Sequence, residues 1–189
     1  MALTDIQLAS RALVRIGARP ITAFDDATAE AEVAAALYSS TRDALLSDYA
    51  WSFATAQAEL TQLADPPMAD FGYAYALPSD LLRVLSAGTR GRGRGVAYRI
   101  IGTALQADAN PVLLTYIFRP VEAAFPPFFD QALIARLAAE FCVPITENTS
   151  RSELHLRLAE EEFKRAKLTD SQQDTPLAID GFTLIQARR

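Results

Sequence analysis

From Ile21 to Asp65 the chain contains neither glycine nor proline. Without the two strongest local breakers, a stretch of this kind favours continuous regular structure. Its alanine-rich middle, after Asp25-Asp26, carries Val33, Leu37, Ala44 and Leu45 on roughly one face at helical spacing. The pattern predicts a long helix over about residues 26–50, with Trp51 and Phe53 near its end.

The same punctuation organises the rest. Thr4 and Gln7 form a capping box, followed by Ile6, Ala9, Leu13 and Ile16 at helical spacing until Gly17 and Pro20, which predicts a helix over 4–17. Arg11 and Arg15 lie one turn apart on the opposite side. Between Pro66 and Pro120 the runs LLRVLSA, AYRII, TALQA and VLLTYIF are short and β-branched or aromatic, separated by Gly88–Gly95, Gly102-Thr103 and Asn110-Pro111. They read as one small antiparallel meander inserted over about 71–119. After Pro126-Pro127, Leu133, Ile134, Leu137 and Phe141 mark a helix over 127–143 that Pro144 ends. Ser150 and Glu153 suggest a second capping box opening a helix over 150–170, with Leu156, Ala159, Phe163 and Ala166 on one face and Glu160–Lys164 and Glu161–Arg165 pairs outside.

Past Asp170 the periodicity stops, and Pro176 and Gly181 interrupt a segment that still holds Leu177, Ile179, Phe182, Leu184 and Ile185. So apolar a terminus is expected to dock onto something. The expected fold is therefore mainly α: a four-helix bundle with an inserted small antiparallel β-meander and an extended C-terminal tail. One domain is expected over 1–171 and a docking tail over 172–189.

Half of the 189 residues are apolar and the net charge is −5, which argues against disorder and against bulk attraction to nucleic acid or anionic lipid. No run of about eighteen apolar residues occurs, so a transmembrane helix and a membrane partner are not expected. The N-terminal stretch interleaves arginines with aliphatics and has no long apolar core, so no signal peptide is expected. The single cysteine, Cys142, sits in an apolar run as a buried reduced thiol does, which fits an intracellular origin.

Chemistry is sparse. There is no phosphate-cradling GxxxxGK[ST], no GxGxxG after a strand, no HExxH and no second cysteine to begin a zinc site. His155, the only histidine, lies mid-helix between two leucines, and nothing near Cys142 in sequence lowers a thiol pKa. Asp25-Asp26 and Glu160-Glu161-Glu162 suit a helix N-terminus and a solvated helix face. No catalytic residue, metal site or cofactor is expected. The densest cationic segment is TRGRGRG, where Arg90, Arg92 and Arg94 on a glycine backbone can touch phosphates, with a loop joining two strands as the simpler reading.

Taken in order, ALLSDYAWSFATAQAEL, FGYAYALPSDLLRVL, YIFRP and FFDQALIARLAAEFCVPITENTS, followed by an acidic helix ending AKLTDSQQ, resemble the tail tubular protein A type of head-to-tail adaptor. That family serves short-tailed bacteriophages, with relatives in prophages and gene transfer agents, and the resemblance spans roughly residues 3–175. It implies a non-enzymatic structural subunit of a ring, commonly twelvefold, that docks beneath the portal after packaging and continues the DNA channel to the tail. It further implies that the helices and C-terminal segment engage the portal ring, and the apolar Leu177, Ile179, Phe182, Leu184 and Ile185 are then expected to anchor the tail on the portal or on a neighbouring adaptor. The β part would then face a tail nozzle or a stopper protein. The implied location is the head-tail junction of a virion or phage-like particle assembled in the bacterial cytoplasm. Two other classes stay open: a small DNA-binding packaging or regulatory subunit using the arginine loop or the Arg11/Arg15 face, and an enzyme built on Cys142 or His155.

Overall fold

The computed structural model describes residues 3–173. Four helices form one side of it: α1 (Asp5–Arg15), α2 (Ala29–Asp48), α3 (Pro127–Thr146) and α4 (Thr149–Ser171). The α1 capping box forms, with Thr4 Oγ1 accepting from the Gln7 amide at 3.3 Å while the Gln7 side chain accepts from the Thr4 amide at 3.1 Å. Thr28 caps α2 by accepting from the Ala31 amide at 3.2 Å. α3 is the most buried helix, its Phe129, Leu133, Leu137 and Phe141 fully enclosed, and α1, α2 and α4 all pack against it.

The α3–α4 junction differs from the sequence reading in two ways. Pro144 sits inside the last turn of α3, which runs on to Thr146 and closes at Glu147 in the left-handed region with φ 51°. A proline so near the end removes a single amide from the ladder, so the helix outlasts it. Asn148 follows immediately and caps α4 by accepting from the Arg151 amide at 3.0 Å, so Ser150 lies inside the helix.

Six strands form the other side: β1 (Thr55–Glu59), β2 (Tyr73–Ala76), β3 (Leu81–Gly88), β4 (Tyr98–Ile101), β5 (Ala104–Ala107) and β6 (Leu113–Phe118). They make two antiparallel three-stranded sheets, ordered β1-β6-β3 and β2-β5-β4. Beyond β1 the chain passes from one sheet to the other. The Leu60 amide donates to Val112, whereas Thr61 and Leu63 bond to Ala76 and Ala74 of β2.

The first sheet has two apolar faces. Tyr116 and Leu114 join Tyr75, Leu105 and Ala107 of the second sheet in a distal core, whereas Ile117 belongs to the helical core. Strand β3 serves both sides through two irregularities, where Leu82 and Leu85 fall between the residues paired with β6. Both of these leucines pack against the helical core, while Leu81 and Val84 pack against the distal one. A bulge inserts one unpaired residue and re-aims a side chain, and here it lets a short strand present leucines on both faces.

These observations overturn the expected mainly α bundle with a single meander. The molecule is an α+β mixture in which the helices share their core with one sheet and that sheet shares a second core with another. The β part begins at Thr55, inside the stretch free of breakers, because the chain turns out of α2 at Tyr49 to bury Trp51 and then pairs with β6. Sequence neighbours are also not all sheet neighbours, as β6 lies between β1 and β3. The last described element is a helix, α4, rather than an extended tail. The anchors proposed on the tail, Leu177, Ile179, Phe182, Leu184 and Ile185, lie outside the described residues.

Candidate functional site

The aromatic residues near the α2 exit separate into two places. Trp51 is fully buried among Tyr49, Phe53, Phe128, Phe129 and Phe163, with its indole N–H donating to the Leu45 carbonyl at 3.1 Å. Tyr75 is buried in the distal core and donates to the Ala109 carbonyl, whereas Tyr73 is at the surface.

The arginine loop is a stitched turn. Thr89 and Arg92 exchange backbone hydrogen bonds at 3.0 Å, Ser86 Oγ donates to the Gly93 carbonyl at 2.9 Å, and the Val96 amide donates to Ala87 at 3.0 Å. Gly91 at φ 87° occupies the position of this turn that favours glycine. Gly88 is required for another reason: a Cβ there would lie 2.1 Å from the Arg92 carbonyl oxygen. Arg90 is engaged by Glu59 of β1 through contacts of 2.9 to 3.2 Å, while Arg92 and Arg94 are exposed and make no ion pair among the described residues. Only two of the three guanidinium groups are thus left for an anionic partner.

Neither candidate nucleophile is assembled into a site. The Cys142 sulfur is buried at 3.5 Å from Thr146 Oγ1 and 4.0 Å from the Asn148 carbonyl oxygen. His155 is half-buried, and its pKa is lowered by burial first and then by Arg151 and Arg15. Among the described residues no group of three or more His, Cys, Asp and Glu is placed to hold a metal ion, and no helix is long and apolar enough to cross a membrane.

What the fold does assemble are two surfaces on opposite flanks of α4. On one flank, the Arg151 guanidinium donates to the Ile16 carbonyl at the end of α1 at 2.8 Å, and Arg15 donates to Gln131 at 2.8 Å. Arg15 of α1 and Arg151 of α4 thus both lie close to His155, and helical spacing continues this α1/α4 ridge through Arg11 and Val14 on one helix and Leu154 and Leu158 on the other. Val14, Leu154 and Leu158 are 57%, 49% and 44% exposed. None of Arg11, Arg15 and Arg151 forms an ion pair among the described residues.

On the other flank, α2, α3 and α4 enclose an open groove of about 280 Å³. Leu37, Ala44, Leu45 and Phe163 make its apolar lining, and Asp48, Glu140 and Glu160 stand around it with Arg136, which pairs with Glu140 at 2.8 Å. Glu160 lies about 160° around the helix from Leu158 at 3.6 residues per turn. Arg11 and Arg15 share a helix face by spacing alone, whereas the placing of Arg151 beside them and the groove arise only once α1, α2 and α4 pack on α3. The exposed leucines at 154 and 158 were signals available in the sequence, since they fall outside the buried repeat of Ala159, Phe163 and Ala166.

Neither a scan of protein-family models nor a search of curated proteins returns a match for this chain.

Proposed function

We propose that this protein is a structural head-to-tail connector subunit that forms a ring beneath the portal of a phage or phage-like particle and continues the DNA channel to the tail. The observation that carries the reading is α4, an outer helix that packs mainly on α3 through Ala159, Phe163 and Ala166 and leaves Leu154, Leu156, Leu158 and Leu168 exposed. Monomers seldom leave that much aliphatic surface on one element, whereas subunits that bury it in an assembly do. The sequence resemblance to tail tubular protein A adaptors points the same way.

Mixing the purified chain with purified portal rings tests this. Electron micrographs are expected to show an added ring of density at one end of the portal, with the free chain mainly monomeric at micromolar concentration. Template-driven assembly of that kind follows from many weak neighbours held at high effective concentration. Portal rings that stay bare at saturating protein would end the proposal. The apolar segment holding Leu177, Ile179, Phe182, Leu184 and Ile185 is the proposed portal anchor, so a chain ending at Asp174 is expected to bind the portal much more weakly than the full chain.

The exposed pair Arg92 and Arg94 favours a second reading, a small DNA-binding packaging or regulatory subunit. That reading predicts duplex DNA binding at physiological salt that Arg92→Ala with Arg94→Ala removes.

A further inference from the structure

We propose that neighbouring copies meet head to tail, the α1/α4 ridge of one seating in the α2/α3/α4 groove of the next. This rests on the ring reading and names the contact that builds the ring. Three observations carry it. The ridge presents Arg11, Arg15 and Arg151 without ion-pair partners among the described residues, whereas the groove is surrounded by Asp48, Glu140 and Glu160, opposed by Arg136 and by Lys167, whose ammonium lies 4.7 Å from the centre of the Phe163 ring, and so keeps an excess of negative charge. The ridge carries exposed Val14, Leu154 and Leu158, and the groove has an apolar lining of Leu37, Ala44, Leu45 and Phe163. The two surfaces also lie on opposite flanks of one helix.

A contact between two different patches of the same molecule is heterologous, and repeating it generates a ring or an open chain instead of a closed pair. Opposite charge orients the two surfaces, and apolar surface between the charges supplies burial. The leucines within the ridge favour a protein partner over a nucleic acid backbone, whose phosphates offer them nothing to pack against. Not every charge fits the scheme: Glu161 and Glu162 follow one turn beyond Leu158, where Arg165 bonds Glu162 at 3.0 Å.

The test is a charge swap in the full chain, followed by sedimentation up to about 1 mM, where contacts of only about 4 kcal/mol become visible. The ridge variant is Arg15→Glu with Leu158→Glu, and the groove variant is Asp48→Lys with Glu160→Lys. All four positions are exposed, and circular dichroism checks the fold of each variant. The native chain is expected to form concentration-dependent oligomers that grow past two copies. Each variant alone is expected to associate at least about tenfold more weakly, because it places like charges face to face. Mixed, the two variants are expected to pair, since the acidic ridge of one now meets the basic groove of the other.

Native association that neither variant weakens would overturn this pairing and leave the ring reading standing. Variants that each lose association but fail to pair when mixed would overturn it too, as would a native chain that stays monomeric at millimolar concentration. A native dimer that stops at two copies would instead sink the ring reading itself.

Discussion

The carboxylate of Asp170 accepts the backbone amide of Ser52 at 3.0 Å and its hydroxyl at 2.7 Å, across 118 residues of chain. This contact ties the last turn of α4 to the turn that leads from α2 into the first sheet. Asp170 is almost fully buried whereas Ser52 is exposed, so what its removal loses is the charge-assisted hydrogen bonds themselves. Asp170→Ala is expected to cost about 1–3 kcal/mol. Hydrogen exchange should show the loss concentrated in the final turns of α4, and an unchanged exchange pattern there would refute the tether.

Trp51 is the centre of the aromatic cluster and the only tryptophan, so it reports on the helical core directly. Trp51→Ala is expected to destabilise the protein by about 3–5 kcal/mol through the cavity it leaves. The native chain should emit at short wavelength and shift to the red on unfolding. Emission typical of a solvated indole in the native state would contradict the burial.

Asp130, near the start of α3, is 7% exposed, and its Oδ1 has no hydrogen-bond partner. Burial pushes its pKa from the ordinary 3.8 up to about 6, against the opposing pull of Arg11. A folded pKa above the unfolded one means that the carboxyl's contribution is fully favourable below 3.8 and is lost as pH rises through about 6. Asp130→Asn is therefore expected to raise stability by about 1–3 kcal/mol near pH 7.5, with the gain vanishing by about pH 4. Urea unfolding at the two pH values measures this; a gain independent of pH would place the cause elsewhere.

Gly88 stands where the arginine loop folds back onto β3. Gly88→Ala is expected to push the Arg92 carbonyl away, open the turn and cost about 1–3 kcal/mol as an overpacked site does. The Arg90 contact with Glu59 should weaken with it. Adding Glu59→Gln to Gly88→Ala should then change stability less than Glu59→Gln does in the native background. Equal effects in both backgrounds would show that the turn holds without the glycine.

Local signals were legible and distant pairings were not. The capping box at Thr4 and Gln7 involves residues three apart, and the buried face of α3 repeats every turn, so both can be read from a window of sequence. β1 cannot: Thr55–Glu59 reads TAQAE, with neither a β-branched run nor a breaker before it, and it is a strand because Thr55 lies opposite Ile117. The second capping box failed because Asn148, set by the left-handed Glu147, takes the cap before Ser150 can. The same division holds for the surfaces. Arg11 and Arg15 share a helix face by spacing alone, while Arg151 reaches them only through the carbonyl of Ile16.

Strand β6 sets Leu114 and Tyr116 in the distal core on one face and Ile117 in the helical core on the other. The two cores thus lie on either face of one layer of hydrogen-bonded backbone, and at β3 leucines reach into both. A change in the packing of either core therefore meets the same three strands, and the helices and the second sheet are coupled through one shared layer.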